Sequence, residues 1–195
     1  MNPIRQMPVI VFDHYQLRTI HKKDYKDMYA YGKDEEVTAF LSWGPFEHPK
    51  QAKQAITKIF YPRVRHGLPK GYAIIDLDQD KMIGTIDFHT KRKDVCGAEI
   101  GYVIAKAYWN QGIMTKALRH LIPIGFEHLG YDVIYIRHLA RNVASQKVIL
   151  KNHFELIKTE PTIFEKHHIQ IADQMLTYEL TKERYYANQQ SQGNL

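Results

Sequence analysis

Glu99-Ile-Gly-Tyr-Val-Ile104 runs through Ala-Lys-Ala-Tyr-Trp-Asn-Gln-Gly112 into Ile-Met-Thr-Lys-Ala-Leu118. The first block alternates. Ala98, Ile100, Tyr102 and Ile104 project to one face of a strand, and Glu99, Gly101, Val103 and Ala105 to the other. The last block begins a run with Ala117, Leu118, Leu121, Ile122 and Phe126 at helical spacing. A strand therefore passes through a short loop directly into a helix. The first N–H groups of a helix lack internal partners, and its dipole places partial positive charge there. Backbone donors from Gln111 to Thr115 can converge on an anion. Gly112 has no Cβ and permits close approach, and Lys116 and Arg119 add charge on the next turn. A single glycine before a helix also serves as a turn and nothing more. Neither G-x-x-x-x-G-K-[ST] nor G-x-G-x-x-G is present.

Upstream, the pattern predicts a strand over 14–20 and a helix from Tyr25 that reaches toward Leu41. Ser42-Trp43-Gly44-Pro45 breaks it, and a second helix starts at Pro49, where a first turn tolerates proline. Pro62 ends or kinks that helix. Strands follow over 71–77, 82–89 and 96–105, joined by hairpins into an antiparallel meander. Downstream, the helix from Ile113 to Leu129 contains Pro123, which predicts a kink, and Gly130 closes it. A strand over 132–140, a helix over 143–151 and strands over 154–165 and 169–180 complete the order. The fold class is α+β, with a mixed central sheet flanked by about four helices. An antiparallel meander leads into a parallel crossover, expected to be right-handed. One domain spans residues 8–184, and the polar segment 185–195 is expected to be unstructured.

The chain has 195 residues, 44% hydrophobic and 25% charged, which fits one soluble globular domain and excludes collagen, coiled coil and wholesale disorder. Cys96 is the single cysteine, so no internal disulfide or cysteine-rich zinc site exists and a reducing compartment is expected. The net charge of +6 suggests anionic partners without choosing among nucleic acid, a phosphorylated cofactor and a membrane. The N-terminal apolar run, Val9 to Phe12, is too short for a secretory signal. No stretch approaches a membrane span of roughly 20 apolar residues. A cytoplasmic location and no membrane association are expected.

Four motifs in register resemble the GNAT acetyltransferases, and specifically their RimJ/RimL-type branch, which acetylates protein N-termini. Glu99-Ile-Gly-Tyr-Val-Ile104 resembles the family's E-L-G-Y-W-I strand. Tyr108 to Leu118 resembles its W-G-x-G-x-[AGM]-T-E-A-L acetyl-CoA loop. Asn142-Val-Ala-Ser145 resembles N-x-x-S, and Val148 to Phe154 resembles V-L-x-K-x-G-F. The resemblance covers about residues 16–180. Two glycines are replaced: the first loop glycine is Asn110, a residue that tolerates left-handed backbone, and the glycine before the last aromatic is His153. Asn152 is a candidate left-handed cap in its place.

The resemblance implies transfer of an acetyl group from acetyl-CoA to an amine, most directly a protein N-terminus, with no covalent enzyme intermediate. Cys96 is then no nucleophile. The resemblance also places the cosubstrate. Its pyrophosphate meets the loop Trp109, Asn110, Gln111, Gly112, Ile113, Met114 and Thr115. Its pantetheine arm pairs with the backbone at Val103 and Ile104, with an N–H near Val103 facing the thioester oxygen. Asn142 contacts the arm, and Ser145 is the proton donor to the leaving thiolate. Asn142 is equally suited to capping a helix, and Ser145 to a plain first-turn position. Glu99 is the first candidate for general base, or else a carboxylate held in a salt bridge. Glu165 and water are the other candidates. His167 and His168 point apart on a strand or turn, so no metal is expected. Trp43, Phe46 and Phe60 line a peptide groove or belong to the core. A small-amine acetyltransferase and a non-catalytic ribosome- or RNA-binding module stand as alternatives. The scattered basic residues and the lack of any RNA-binding signature speak against the last. A monomer or homodimer is expected.

Overall fold

Every residue of Tyr72–Asp76 is buried, which requires a strand covered on both faces. The computed structural model describes residues 7–92, 94–166 and 168–193. Tyr72–Asp76 is β3 of an eight-stranded sheet. The others are β1 (Ile10–Phe12), β2 (Tyr15–Thr19), β4 (Lys81–Lys91), β5 (Gly97–Ile104), β6 (Val133–Leu139), β7 (Glu155–Lys166) and β8 (Ile169–Thr181). The spatial order is β1-β2-β3-β4-β5-β6-β8-β7. All neighbours are antiparallel except β5 and β6, the expected parallel step.

Alternation along the strands feeds two cores. Tyr72, Ile74, Ala98 and Ile100 enter one, shared with Ile113, Met114, Ala117, Leu118, Leu121 and Ile122 of α4 (Ile113–Pro123) and Ile149 of α5 (Val143–Leu150). Ala73, Ile75 and Val103 enter the other. That core is shared with α1 (Tyr25–Gly32), α2 (Glu35–Thr38) and α3 (Pro49–Ala55). Phe46 and Phe60 are buried in this second core, and Trp43 stacks on Phe46 at 5.0 Å. Phe46 and Phe60 are core residues rather than a peptide groove, and Trp43 is partly buried against them.

Several expectations change. The first helix divides, because Asp34 accepts from the N–H groups of Glu36 and Val37 and starts α2 as a separate turn. Pro123 ends the regular part of α4, and the chain widens into a π-helical turn over Ile124–His128 before left-handed Gly130. The polar tail is helical: α6 spans Lys182–Gly193, docked by Tyr185, whose ring packs on Phe126 and whose hydroxyl donates to Glu127. These two contacts supply what the polar composition lacks. Asn152 takes no left-handed turn. His153 does, at φ 63°, while the Asn152 amide is buried and donates to Val148 O and Thr115 O, bracing α5 against α4. No helix among the described residues is long and apolar enough to cross a membrane.

Candidate active site

β5 and β6 pair only at Gly97↔Val133, Ala98↔Ile134 and Glu99↔Tyr135. Past Glu99, β5 stays with β4 as far as Ile104, and β6 stays with β8 as far as Leu139. A wedge opens between them. Backbone alternation decides which groups face it. Cys96 O accepts from Asp132 N–H on the β6 side, whereas Gly97 O accepts from Arg92 and Ala105 N–H donates to Ile83 O, both on the β4 side. The even-numbered residues Tyr102 and Ile104 therefore turn their backbone to the wedge. Val103 turns its own toward β4, so the strand-pairing place expected of Val103 falls to Tyr102. Ile104 faces the wedge as well, but its carbonyl already accepts from Trp109 Nε1 at 2.9 Å.

The loop at the wedge's mouth is fixed from several sides. Tyr108 OH donates to Asp76 at 2.7 Å, and Gln111 Nε2 donates to Ala107 O. Asn110 adopts φ 60°, the left-handed backbone expected where a glycine is missing. Gly112 follows at φ 75° as the N-cap of α4, and a Cβ there would meet nothing within 4 Å. The first intrahelical bond runs from Lys116 N–H to Gly112 O. The amides of Ile113, Met114 and Thr115 thus have no helical acceptor, and the first turn carries no acidic side chain. Ile113 and Met114 bury their side chains, so only their backbone is offered. This end suits an anionic group. Lys116 is tied to Asp13 at 2.6 Å, while Arg119 is exposed.

Asn142 caps α5: its Oδ1 accepts from Ser145 N–H at 3.1 Å, which leaves the side-chain amide donor for other partners. Ser145 is 8% exposed, and its Oγ lies 2.8 Å from Tyr102 OH. Burial pushes the Tyr102 phenol's pKa up and keeps it protonated, with the Ser145 hydrogen bond a smaller opposing effect. Tyr102 and Ser145 therefore form a protonated hydroxyl pair beside the wedge. The buried His138, on β6, stacks on Tyr178, and its Nδ1 lies 2.8 Å from Leu139 O. Its Nε2 has no hydrogen-bond partner among the described residues.

Glu99 is 2% exposed and lies on the opposite face of β5 from Tyr102. Arg137 Nε reaches one of its oxygens at 2.9 Å and Arg92 Nη1 the other at 3.4 Å. Of the two readings of Glu99, the ion-paired one is what the structure contains. Glu165 lies near the tip of the β7–β8 hairpin beside Lys166, whose amine donates to Thr38 O and Leu41 O across the α2 region. Arg141 spans the same gap, its guanidinium between the rings of Phe40 and Phe164 at 5.6 and 5.7 Å. The hairpin thus reaches across to the α2 side of the sheet. His168 is exposed in the turn with φ 63°, His167 lies outside the described residues, and no metal-binding cluster occurs among the described residues. Cys96 is exposed at the other end of β5 from the wedge.

A groove of about 590 Å³ opens on the Glu99 side of the sheet, between Arg63, His66 and Leu68 and the end of β4 from His89 to Arg92. His89 on its wall was not singled out by sequence. The available signal was the polar alternation Thr85, Asp87, His89 on a strand whose other face, Ile86 and Phe88, is wholly apolar. A second cavity, of about 320 Å³ beside Glu155 and Arg184, holds none of the site residues.

The sequence matches the acetyltransferase (GNAT) domain family over residues 15–155. It is 29% identical over 150 residues to the uncharacterized N-acetyltransferase YoaA of Bacillus subtilis (strain 168), covering 76% of this chain and 83% of that protein. The fold is similar to that of RimL, the ribosomal L7/L12 alpha-N-protein acetyltransferase, solved with coenzyme A. There the TM-score is 0.78 at 19% identity, over 91% of this chain and 99% of RimL. It is also similar to a chimera of the spermidine N-acetyltransferase SpeG from Vibrio cholerae and hSSAT, with a TM-score of 0.73 at 14% identity over 89% and 99%. A mixed sheet splayed after one parallel pair, with a bare helix N-terminus at the mouth of the split, is the form these motifs take here, and the chain belongs to the GNAT acetyltransferase family.

Proposed function

We propose that the protein transfers the acetyl group of acetyl-CoA directly to a protein or peptide N-terminal amine. The observation that carries this reading is the β5–β6 wedge ending at the uncapped N-terminus of α4. The amides from Gln111 to Thr115 hold the pyrophosphate by backbone donation and the helix dipole. Tyr102 offers its wedge-facing backbone, and Ile104 its N–H, to the pantetheine arm, as an added strand would meet it. Asn142 adds its side-chain amide. The cosubstrate supplies an activated thioester, and the chain's residues orient it and manage protons. An N–H facing the wedge stabilises negative charge developing on the thioester oxygen. Ser145 gives a proton to the departing thiolate, and Tyr102, at 2.8 Å, replaces it.

A peptide N-terminus as acceptor is supported by the groove on the other side of β5. Its walls include the solvent-exposed His66, Thr90 and Lys91, so an extended chain can lie along it. Two measurements test the reading. Acetyl-CoA at 100 Kd should stabilise the fold by about 2.7 kcal/mol, a Tm rise of about 5–10 °C for a chain this size. The absence of any rise with either acetyl-CoA or CoA would overturn it. Mass spectrometry of products from N-terminal peptides, spermidine and an aminoglycoside then identifies the acceptor. Acetylation of the small amines alone would replace the N-terminal reading.

A further inference from the structure

His89 stands where β4 breaks step with β5. Phe88 pairs with Ile100 and Thr90 with Glu99, so His89 is the extra residue of a β-bulge. Bulges re-aim side chains and recur beside active sites. Here the imidazole is laid over Gly101. A Cβ at Gly101 would come within 2.8 Å of His89 Cδ2 and 3.2 Å of Nε2. Gly101 is two residues past the last β5–β6 pair, where the wedge has begun to open. The imidazole also lines the acceptor-side groove. It therefore reaches both the start of the wedge and the groove through which an amine would come.

The charged groups around it are Asp87 on its own strand, Glu99 on β5, Arg63 from the turn below and Arg137 on β6. Lys91, Arg92 and His66 complete the groove wall. Arg63 is paired with Asp87 at 2.7 Å, and Glu99 with Arg137 and Arg92. The nearby carboxylates are thus committed to guanidiniums, and among the described residues neither forms an ion pair with His89. Its Nδ1 lies 2.7 Å from Thr90 Oγ1. In the tautomer that donates there, Nε2 carries the free lone pair. Burial pushes the His89 pKa below the ordinary histidine value, ahead of the pull of Asp87 and Glu99 in the other direction, so the ring is neutral at pH 7.

Resting on the acetyltransferase reading above, we infer that the groove is the acceptor site and that His89 is the general base for the incoming primary amine. The amine enters as its ammonium: His89 Nε2 takes one of its protons, the freed nitrogen lone pair forms the bond to the acetyl carbonyl carbon, and the second proton leaves the nitrogen for solvent. The carbon–sulfur bond breaks, the thiolate receives the Ser145 proton, and the imidazolium returns its proton to solvent. Glu99 then acts as a positioning residue: it holds Arg92, which lines the groove.

The test is the pH dependence of kcat/KM for the full chain, with thiol release as the readout. The acceptors are Ser- and Ala-initiated hexapeptides, spermidine and an aminoglycoside. The α-ammonium group of the peptide acceptors has a pKa near 8, and the profiles are compared on those peptides. With His89 neutral and taking the proton, the wild type should be nearly flat from about pH 6.5 to 7.5, falling only at more acid pH. His89→Gln should lose about 100-fold at pH 7. Its kcat/KM should instead climb about tenfold per pH unit, in step with free amine. Imidazole in the buffer should restore part of the His89→Ala rate. The acetyl-CoA-induced Tm rise should be the same in both variants, which shows that the fold and cosubstrate site survive. A wild-type-like pH profile in His89→Gln overturns the base assignment alone. No turnover of any of these amines by the wild type overturns the acetyltransferase reading and this inference with it.

Discussion

Single atoms decide the proton chemistry here. Ser145 Oγ and Tyr102 OH, 2.8 Å apart and buried, form a donor pair. Ser145→Ala should lower kcat by about tenfold or more while leaving KM for acetyl-CoA within about threefold, because the Asn142 cap uses the Ser145 backbone and not its hydroxyl. The fold should lose only about 1 kcal/mol, the worth of one hydrogen bond. Steady-state kinetics and a thermal melt check both halves, and an unchanged kcat would remove Ser145 from the proton path. Sequence named Glu99 and Ser145 through a motif and placed each on its correct face, because alternation along a strand and the first turn of a helix are local properties. It could not pair Glu99 with Arg137, 38 residues away on another strand, nor tell Asn142 the cap from Asn142 the ligand. His89 was missed for the same reason. A bulge is a mismatch between two strands and has no signature within one.

The elements that hold the site are set by short-range rules, and these make their own prediction. Gly112 is left-handed with open space around the position of a Cβ. A side chain there therefore meets no neighbour, and the cost is the backbone's alone. Gly112→Val should lower stability by about 1–2 kcal/mol. It should also raise the acetyl-CoA dissociation constant, because relieving the strain turns the amides of α4 away from one another. Calorimetric titration with CoA beside a chemical melt would show both, and equal CoA affinity in the variant would mean that the α4 N-terminus is not the phosphate site. The strands, the Pro123 break and the Gly130 stop were legible because apolar periodicity, proline and glycine act on their own neighbours. The division of the first helix at Asp34 and the folding of the tail were not. One depends on a side-chain cap competing with helix continuation, and the other on Tyr185 finding Phe126 and Glu127, 59 and 58 residues back in sequence.

At the scale of the whole molecule the net charge of +6 acquires a place. Arg63, Lys91 and Arg92 line the groove inferred to take the acceptor, and among the described residues no carboxylate lines it. Peptides with Asp or Glu at positions 2–4 should show lower KM than their Lys counterparts at 0.1 M salt. The difference should shrink at 1 M, where the Debye length falls from about 10 Å to about 3 Å. Equal KM values at low salt would leave the charge with no part in acceptor choice. A ribosome- or RNA-binding surface is not needed to account for that charge: the bare α4 N-terminus suits an anionic cosubstrate, and the basic groove suits the acidic peptides this prediction tests. Sequence by itself determined the order of elements from β2 to β8 apart from the split of the first helix, the parallel step after the meander, the two faces of β5 and the anion-ready start of α4. All are encoded in neighbours a few residues apart, through periodicity, capping and the torsions open to glycine and asparagine. Tertiary structure alone decided where β5 and β6 part, which backbone groups face the gap, that Glu99 is bound to two arginines, and that His89 overlooks Gly101. Each of these is a meeting of distant segments, fixed by strand register and burial, and no local pattern encodes a meeting.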